Sequence, residues 1–302
     1  MIEKRFVQWY ASDAGVDLDI AEREVVLTYV LHILYDQNLL EHLAFKGGTA
    51  IRKLHLGSSG RFSLDLDFTA VGHITPEALI LDLVEALHDR MHHGIRFTVP
   101  SPNYYVAEDR TGCGAEVIYE HDWATGARFG IQISFRAPPL LPVTLVHLKP
   151  ARYFQWLQVD PPTVPALDIH EVIGEKIRAA AQRTRVRDLY DLYLFAHQPF
   201  DRALVRRIAV IKCWETRYAF DPAGVLHALA DGAYDWVDLK RLVRADRLAA
   251  PDTIVRDVQQ GFSFLWHLTE GEARLAQDPY GREQRTHDLL AHSLLGSGTA
   301  PG

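Results

Sequence analysis

Cysteine is nearly absent: Cys113 and Cys213 are the only two in 302 residues, and neither has a second cysteine or a histidine at zinc-site spacing. That excludes a disulfide framework and a zinc ribbon and leaves two idle or buried thiols. No apolar run approaches the roughly 18 residues of a membrane span. The opening MIEKRFVQWY places charge and aromatics where a signal peptide needs a clean apolar stretch. The expectation is a cytoplasmic protein with no membrane partner. Positive charge is also short, since 32 Lys and Arg against 39 Asp and Glu give a net charge of −7. Any contact with a polyanion must therefore rest on local basic patches. No internal repeat is visible, and the tail GSGTAPG has the composition of a disordered segment.

What is present suffices for a large core, with 48% hydrophobic residues in a chain long enough for one large domain or two lobes. Residues 18–36, LDIAEREVVLTYVLHILYD, space their apolar side chains as an amphipathic helix does. The stretch EHLAFKGGTAIRKLHL reads as strand, tight turn and helix, RFSLDLDF (61–68) as a strand, and 75–92 as a helix. Between 94 and 148 the pieces IRFTV, YYVAED, AEVIYE, RFGIQISFR and PVTLVHL predict strands. From about 166 the periodicity turns helical, over 168–183, 187–197, 201–212, 237–248 and 252–276, with the proline-rich VDPPTVPALD marking the change. The expected fold is α+β: a mixed or antiparallel sheet lobe over 1–165 and a helical lobe over 166–302.

In RFSLDLDF the apolar residues Phe62, Leu64, Leu66 and Phe68 alternate with Ser63, Asp65 and Asp67. Side chains two apart on a strand share a face, with Cα atoms about 6.5 to 7 Å apart, so the two acids could bracket a hard cation. A solvated edge strand whose acids block aggregation is the competing explanation. Upstream, Gly47-Gly48-Thr49 opens a helix and offers backbone N–H groups to phosphate oxygens. A phosphate-holding turn beside paired carboxylates suits phosphoryl transfer.

Residues 45–68, FKGGTAIRKLHLGSSGRFSLDLDF, resemble the GGT…RFSxDxDF signature of the AbiEii/AbiGii-type nucleotidyltransferase toxins, within the DNA polymerase β-like nucleotidyltransferase superfamily. Residues 167–195, LDIHEVIGEKIRAAAQRTRVRDLYDLYLF, resemble that family's later block, in the right order. The resemblance implies a polymerase β-like lobe followed by a helical lobe that completes the site. It makes Asp65 and Asp67 ligands of catalytic Mg²⁺, and Gly47, Gly48 and Thr49 contacts of the nucleoside triphosphate. Arg61 and Ser63 would flank the acids, and Lys176 would reach the phosphates, with Asp191 and Asp188 completing the site. Lys176 and Asp191 would lie about 60° apart on one unbroken helix, or on successive helices if RTRVR interrupts it. A local pair between Arg187 and Asp191, at i,i+4, is the structural alternative. The resemblance further implies an NTP substrate, a pyrimidine such as CTP or UTP, transfer to the 3′ acceptor end of tRNA with loss of aminoacylation, and a cognate antitoxin that is a DNA-binding regulator.

One departure stands out. The strand where such enzymes carry a third carboxylate matches FGIQISFR, whose polar positions are Gln132 and Ser134. Neither can take a proton as a carboxylate does, so Glu116, Glu120 or Asp191 would have to act instead, Asp191 being the choice here. For an RNA acceptor the basic candidates are Arg183, Arg185 and Arg187, and Lys240, Arg244 and Arg247 at steps of four and three. Trp123, Trp156 and the Tyr104-Tyr105 pair could stack bases, although such aromatics more often line cores. His88 and His92 have i,i+4 spacing but no third zinc ligand. Two other readings remain open: transfer to a protein hydroxyl, and a nucleotide- or RNA-binding module with little turnover.

Overall fold

The computed structural model describes residues 2–296, and the tail beyond them lies outside the described residues. The chain forms two compact units, one of Met1–Pro139, Val143–Leu167 and Arg241–Asp246, the other of Leu140–Pro142, Asp168–Lys240 and Arg247–Gly302. The fold is α+β, as the alternation of strand and helix patterns predicts.

The first unit is built on one mixed sheet. Its strands are β1 (Leu43–Lys46), β2 (Leu66–Ala70), β3 (Arg90–His92), β4 (Ile95–Thr98), β5 (Tyr104–Val106), β6 (Gly112–His121), β7 (Ala124–Ser134), β8 (Thr144–His147) and β9 (Thr163–Ala166). The order is β3-β4-β6-β7-β2-β1-β9-β8, with β5 on the edge of β6. The β6–β7 hairpin is antiparallel, whereas β2 runs parallel to β7. Leu66 and Phe68 of β2 and Ile131 and Ile133 of β7 are buried, which fixes the face that packs on the core and leaves Asp67 and Gln132 on the other. Helices α1 (Lys4–Ala14) and α2 (Leu18–Asp36) pack on this unit, together with α3 (Gly47–Ala50), α4 (Pro76–Leu87) and α5 (Arg152–Trp156). The expected amphipathic 18–36 helix has the predicted bounds but is buried around most of its circumference, Glu22 and Glu24 included, because α1 packs across it.

RFSLDLDF is not a strand throughout: pairing starts at Leu66, and the five residues before it spend polar groups elsewhere. Phe62 N–H donates to Leu242 O, Arg61 Nη1 to Phe62 O, and the Asp65 carboxylate accepts from Gly130 N–H. The 75–92 helix ends at Leu87, where His88 turns extended and Arg90–His92 enters the sheet, so His88 and His92 do not share a helix. The boundary segment VDPPTVPALD contains β9, which lies between β1 and β8.

The second unit is helical: α6 (Ile169–Gln182), α7 (Val186–Ala196), α8 (Arg202–Glu215), α9 (Pro222–Asp231), α10 (Trp236–Leu242, which ends in the stretch belonging to the first unit), α11 (Pro251–Gly261), α12 (Glu270–Ala276) and α13 (Gln284–Gly296). The continuous 252–276 helix expected from periodicity is broken, because Thr269 and Glu272 form a capping box that starts α12 afresh. Gly174 lets α6 approach α8 closely, since a Cβ there would meet Ile208 Cβ at 3.1 Å. Glu171 of α6 is fully buried, accepting from the N–H groups of Leu140 and Leu141 at 3.0 Å and from Lys212 Nζ at 2.8 Å. Among the described residues no helix is long and apolar enough to cross a membrane.

Candidate active site

The GGT turn is the start of a helix laid directly against the acids. Lys46 closes β1 opposite Asp67 in register, and Gly47 follows with φ at +77°, a conformation that disfavours a side chain. A Cβ on Gly47 would lie 2.8 Å from Asp67 Cβ and closer still to Oδ2, so the glycine is the surface on which that carboxylate rests. A Cβ on Gly48 would lie 2.6 Å from Arg61 Nη2 and 3.0 Å from Ser63 Oγ. Gly47, Gly48, Arg61, Ser63 and Asp67 thus form one cluster, with Arg61 and Ser63 both buried. Thr49 is also fully buried, and its hydroxyl donates to the backbone carbonyl of Asp65. In this arrangement Thr49 fixes the backbone that carries the first acid.

Asp65 sits one residue before β2 and reaches β7, where its Oδ1 accepts from Gly130 N–H at 2.8 Å. Two residues along β7, Gln132 stands directly opposite Asp67. An amide thus stands beside the second acid, at one of the two positions where the sequence pattern led one to expect a third carboxylate. Of the expected substitutes, Glu116 shares this face across Gly130 and is held by Arg128 at 2.9 Å. Glu120 pairs in register with Arg96 of β4, at the far end of β6.

Behind the GGT segment lies a buried polar network that belongs to neither motif. The helix continues through Ile51–Leu56 with widened, π-type turns. Such widened turns are rare, and here their Arg52 and Lys53 converge on Glu24 of α2. Lys53 Nζ is 3.0 Å and Arg52 Nε 3.3 Å from Glu24 Oε1. Lys53 also donates to Thr28 Oγ1 at 2.8 Å, and Arg52 to Tyr10 Oη at 3.1 Å while lying 3.6 Å over the Phe62 ring. Burial works to raise the Glu24 pKa, but Lys53 and Arg52 together hold it below the usual carboxylate range. Burial likewise pulls the Lys53 ammonium below its ordinary value against the opposing charge of Glu24. The sequence signal was Glu24 four residues before Thr28, on a helix that also carries Glu22 and Arg23 beside it.

In the second unit, RTRVR does interrupt the helix, and Lys176 and Asp191 lie on α6 and α7. Lys176 Nζ is 3.0 Å from Asp188 Oδ1 and 2.8 Å from Asp191 Oδ2, and all three are buried. Burial tends to raise the Asp188 pKa, but the Lys176 charge and the Arg183 hydrogen bond outweigh it and bring it down to about 2. Arg187, which stands at i,i+4 to Asp191, makes a two-pronged contact with Asp238 at 2.7 Å. Of the basic candidates, Arg183 is committed to Asp188 and Arg244 to Asp246 and Asp13 O. Arg185 stands at the N-cap position of α7 without a side-chain capping bond, Lys240 is on α10, and Arg247 ends a short 3₁₀ turn. Trp156 packs against Phe6 and Trp9, and Trp123 against His121.

Among the described residues no group of three or more His, Cys, Asp or Glu side chains could hold a metal ion by itself. Two hard carboxylates beside the GGT turn nevertheless fit Mg²⁺, which binds through one or two carboxylates and completes its shell with other oxygen ligands and water. Asp65 and Asp67 are the residues that would hold it.

The sequence model of the family described as "Nucleotidyl transferase AbiEii toxin, Type IV TA system" matches residues 30–265, more than half of the chain. Among solved structures, MenT4, a nucleotidyltransferase toxin from Mycobacterium tuberculosis H37Rv, is similar with a TM-score of 0.83 at 27% identity, over 98% of this chain and 100% of that one. No curated protein matches.

Proposed function

Because the chain belongs to the AbiEii family of nucleotidyltransferase toxins of type IV toxin–antitoxin systems, we propose that it transfers NMP from a pyrimidine NTP, CTP or UTP, to the 3′ acceptor end of tRNA, and so blocks aminoacylation and translation. The observation that carries this reading is the contact of Gly47 with Asp67 and of Gly48 with Arg61 and Ser63. Backbone N–H groups, a guanidinium and a carboxylate meet there on one small surface, as a triphosphate beside paired acids requires.

In this reading the N–H groups of the GGT segment and the Arg61 guanidinium bind the β- and γ-phosphates and stabilise the charge that grows on departing pyrophosphate. Asp67, seated on Gly47, and Asp65, fixed by Gly130 N–H and Thr49, would hold Mg²⁺, which supplies charge neutralisation of the triphosphate and activation of the attacking oxygen. The acceptor hydroxyl attacks the α-phosphorus and passes its proton to water, the bond from the α-phosphorus to the bridging oxygen breaks, and pyrophosphate leaves. Lys176 supplies a further positive charge on which transfer depends, oriented by Asp188 and Asp191. The partner is a cognate antitoxin, a DNA-binding regulator.

The test is incubation of the protein with each α-labelled NTP, Mg²⁺, and either total tRNA or cell protein. Label on tRNA 3′ ends that vanishes with Asp67→Ala supports the proposal. Label on polypeptide overturns the tRNA assignment in favour of a protein hydroxyl, and binding without transfer under every condition overturns the enzymatic reading.

A further inference from the structure

The acids do not border only the phosphate-holding turn. A cross-strand row runs Lys46, Asp67, Gln132, Gly114, Tyr105, each directly opposite the next over β1, β2, β7, β6 and β5. Residues paired in register share a face, so the GGT segment and Tyr105 lie on opposite sides of Asp67. Tyr105 is three strands away, about 14 Å at the usual strand spacing. Between Asp65 and Tyr105 this face forms a cleft of about 390 Å³ with Gly130 and Gln132 in its lining.

Two glycines make the cleft. A Cβ on Gly114 would lie 3.1 Å from the Tyr105 ring, and one on Gly130 would lie 3.2 Å from Asp65 Oδ1. Their absence lets the tyrosine ring lie low over β6 and leaves the floor flat up to the carboxylate. Tyr105 is 53% exposed, an aromatic face offered to solvent at the edge of the sheet. Gln132 adds an amide able to donate and accept. A cleft with an aromatic wall, an amide and the Glu116–Arg128 ion pair in its lining fits a heterocyclic base, which offers both a π-face and polar edges.

In-line displacement decides which base. The leaving pyrophosphate lies on the GGT side, so the attacking hydroxyl enters from the other side, where the cleft is. We infer that this cleft seats the terminal nucleobase of a single-stranded 3′ end, stacked on Tyr105, so that its ribose hydroxyl faces the α-phosphate. The inference rests on the nucleotidyl-transfer reading for its chemistry and on the sheet face for its location.

The experiment compares wild type with Tyr105→Ala, Tyr105→Phe and Tyr105→Trp in two arms. In initial-rate assays Tyr105→Ala raises KM for the RNA acceptor about 5- to 150-fold, the span of one lost base stack, and leaves KM for NTP within about twofold. The aromatic variants stay near wild type. In the equilibrium arm, without NTP, a short oligoribonucleotide ending in 3′ 2-aminopurine is quenched by wild type and by Tyr105→Phe but not by Tyr105→Ala. Unchanged acceptor KM, an effect confined to NTP, or a Tyr105→Trp variant as impaired as the alanine one overturns the inference. Quenching that depends on Tyr105 in a protein that transfers nothing would sustain the base site and overturn the transfer reading. Transfer and quenching both indifferent to Tyr105 would do the reverse.

Discussion

Replacing Gly47 by alanine separates the two things this glycine does. Its φ of +77° is unfavourable for any side chain, and left-handed backbone costs an L-residue about 1 to 2 kcal/mol. The added Cβ would also lie 2.8 Å from Asp67 Cβ and 2.9 Å from Cγ. To restore ordinary contact the carboxylate must retreat by about 1 Å, and a misplacement of that size costs on the order of 100-fold in rate. Gly126 supplies the control: its φ is +72°, yet a Cβ there would meet nothing within 4 Å. Gly126→Ala should therefore lose a comparable 1 to 2 kcal/mol in urea unfolding while keeping transfer near wild type. Gly47→Ala should lose similar stability and at least about 100-fold in transfer rate. Measuring both variants by denaturation and by α-labelled NTP transfer settles it. If Gly47→Ala transfers within about fivefold of wild type, Asp67 is not held by this contact and the site is wrongly built.

Three further outcomes follow from the charges. The Asp188 pKa, brought from 3.8 down to about 2, contributes about 2 kcal/mol of stability that is present above pH 4 and lost as pH falls toward 2; Asp188→Asn should flatten the urea midpoint across that window, and an unchanged slope would contradict the Lys176 pairing. Glu24→Gln leaves the Lys53 and Arg52 cations buried without their carboxylate and should cost about 3 kcal/mol; adding Lys53→Met should recover part of the loss, whereas simple additivity in calorimetry would refute the network. Gln132→Glu places a third carboxylate directly opposite Asp67 and should lower the melting temperature without divalent ions through like-charge repulsion of about 1 kcal/mol, with recovery in millimolar Mg²⁺; equal melting with and without Mg²⁺ would count against Asp67 as a ligand.

Much of the sheet was legible because its strands alternate. IRFTV, AEVIYE and RFGIQISFR each bury one parity, and all three are strands. The segment before Leu66 misled for the same reason: Phe62, Leu64 and Leu66 keep the alternation, but Asp65 turns to Gly130 N–H and the chain enters the sheet only afterwards. Alternation reports burial, whereas pairing depends on where backbone groups find partners. Helix α9 was missed although Asp221 and Pro222 form a standard start, since its short apolar run, VLHAL, carries little periodicity. The motif residues of the GGT and DLD segments do come together, and RTRVR does separate the helices of Lys176 and Asp191. Which acid faces which cation was not legible, because Lys176 had Asp188 and Asp191 equally in range and Arg187 found Asp238, 51 residues away.

The feature that escaped the sequence reading is a set of missing side chains. In the sequence Gly47 and Gly48 stand out for their backbone N–H groups, beside Asp65, Asp67, Arg61 and Ser63, whereas nothing marks Gly114 or Gly130. Yet Gly47 lies under Asp67, Gly48 under Arg61 and Ser63, and Gly130 against Asp65, while Gly114 lets Tyr105 down onto the sheet. At each of these four positions even a methyl group would press on a neighbour that the proposed chemistry uses. A carboxylate packed against bare backbone has less room to swing than one surrounded by mobile side chains. The glycines therefore serve to position the acids as much as to free the chain, and the Gly130 N–H that binds Asp65 is the plainest instance: backbone, presented by a residue with nothing else to offer, fixes the first acid of the pair.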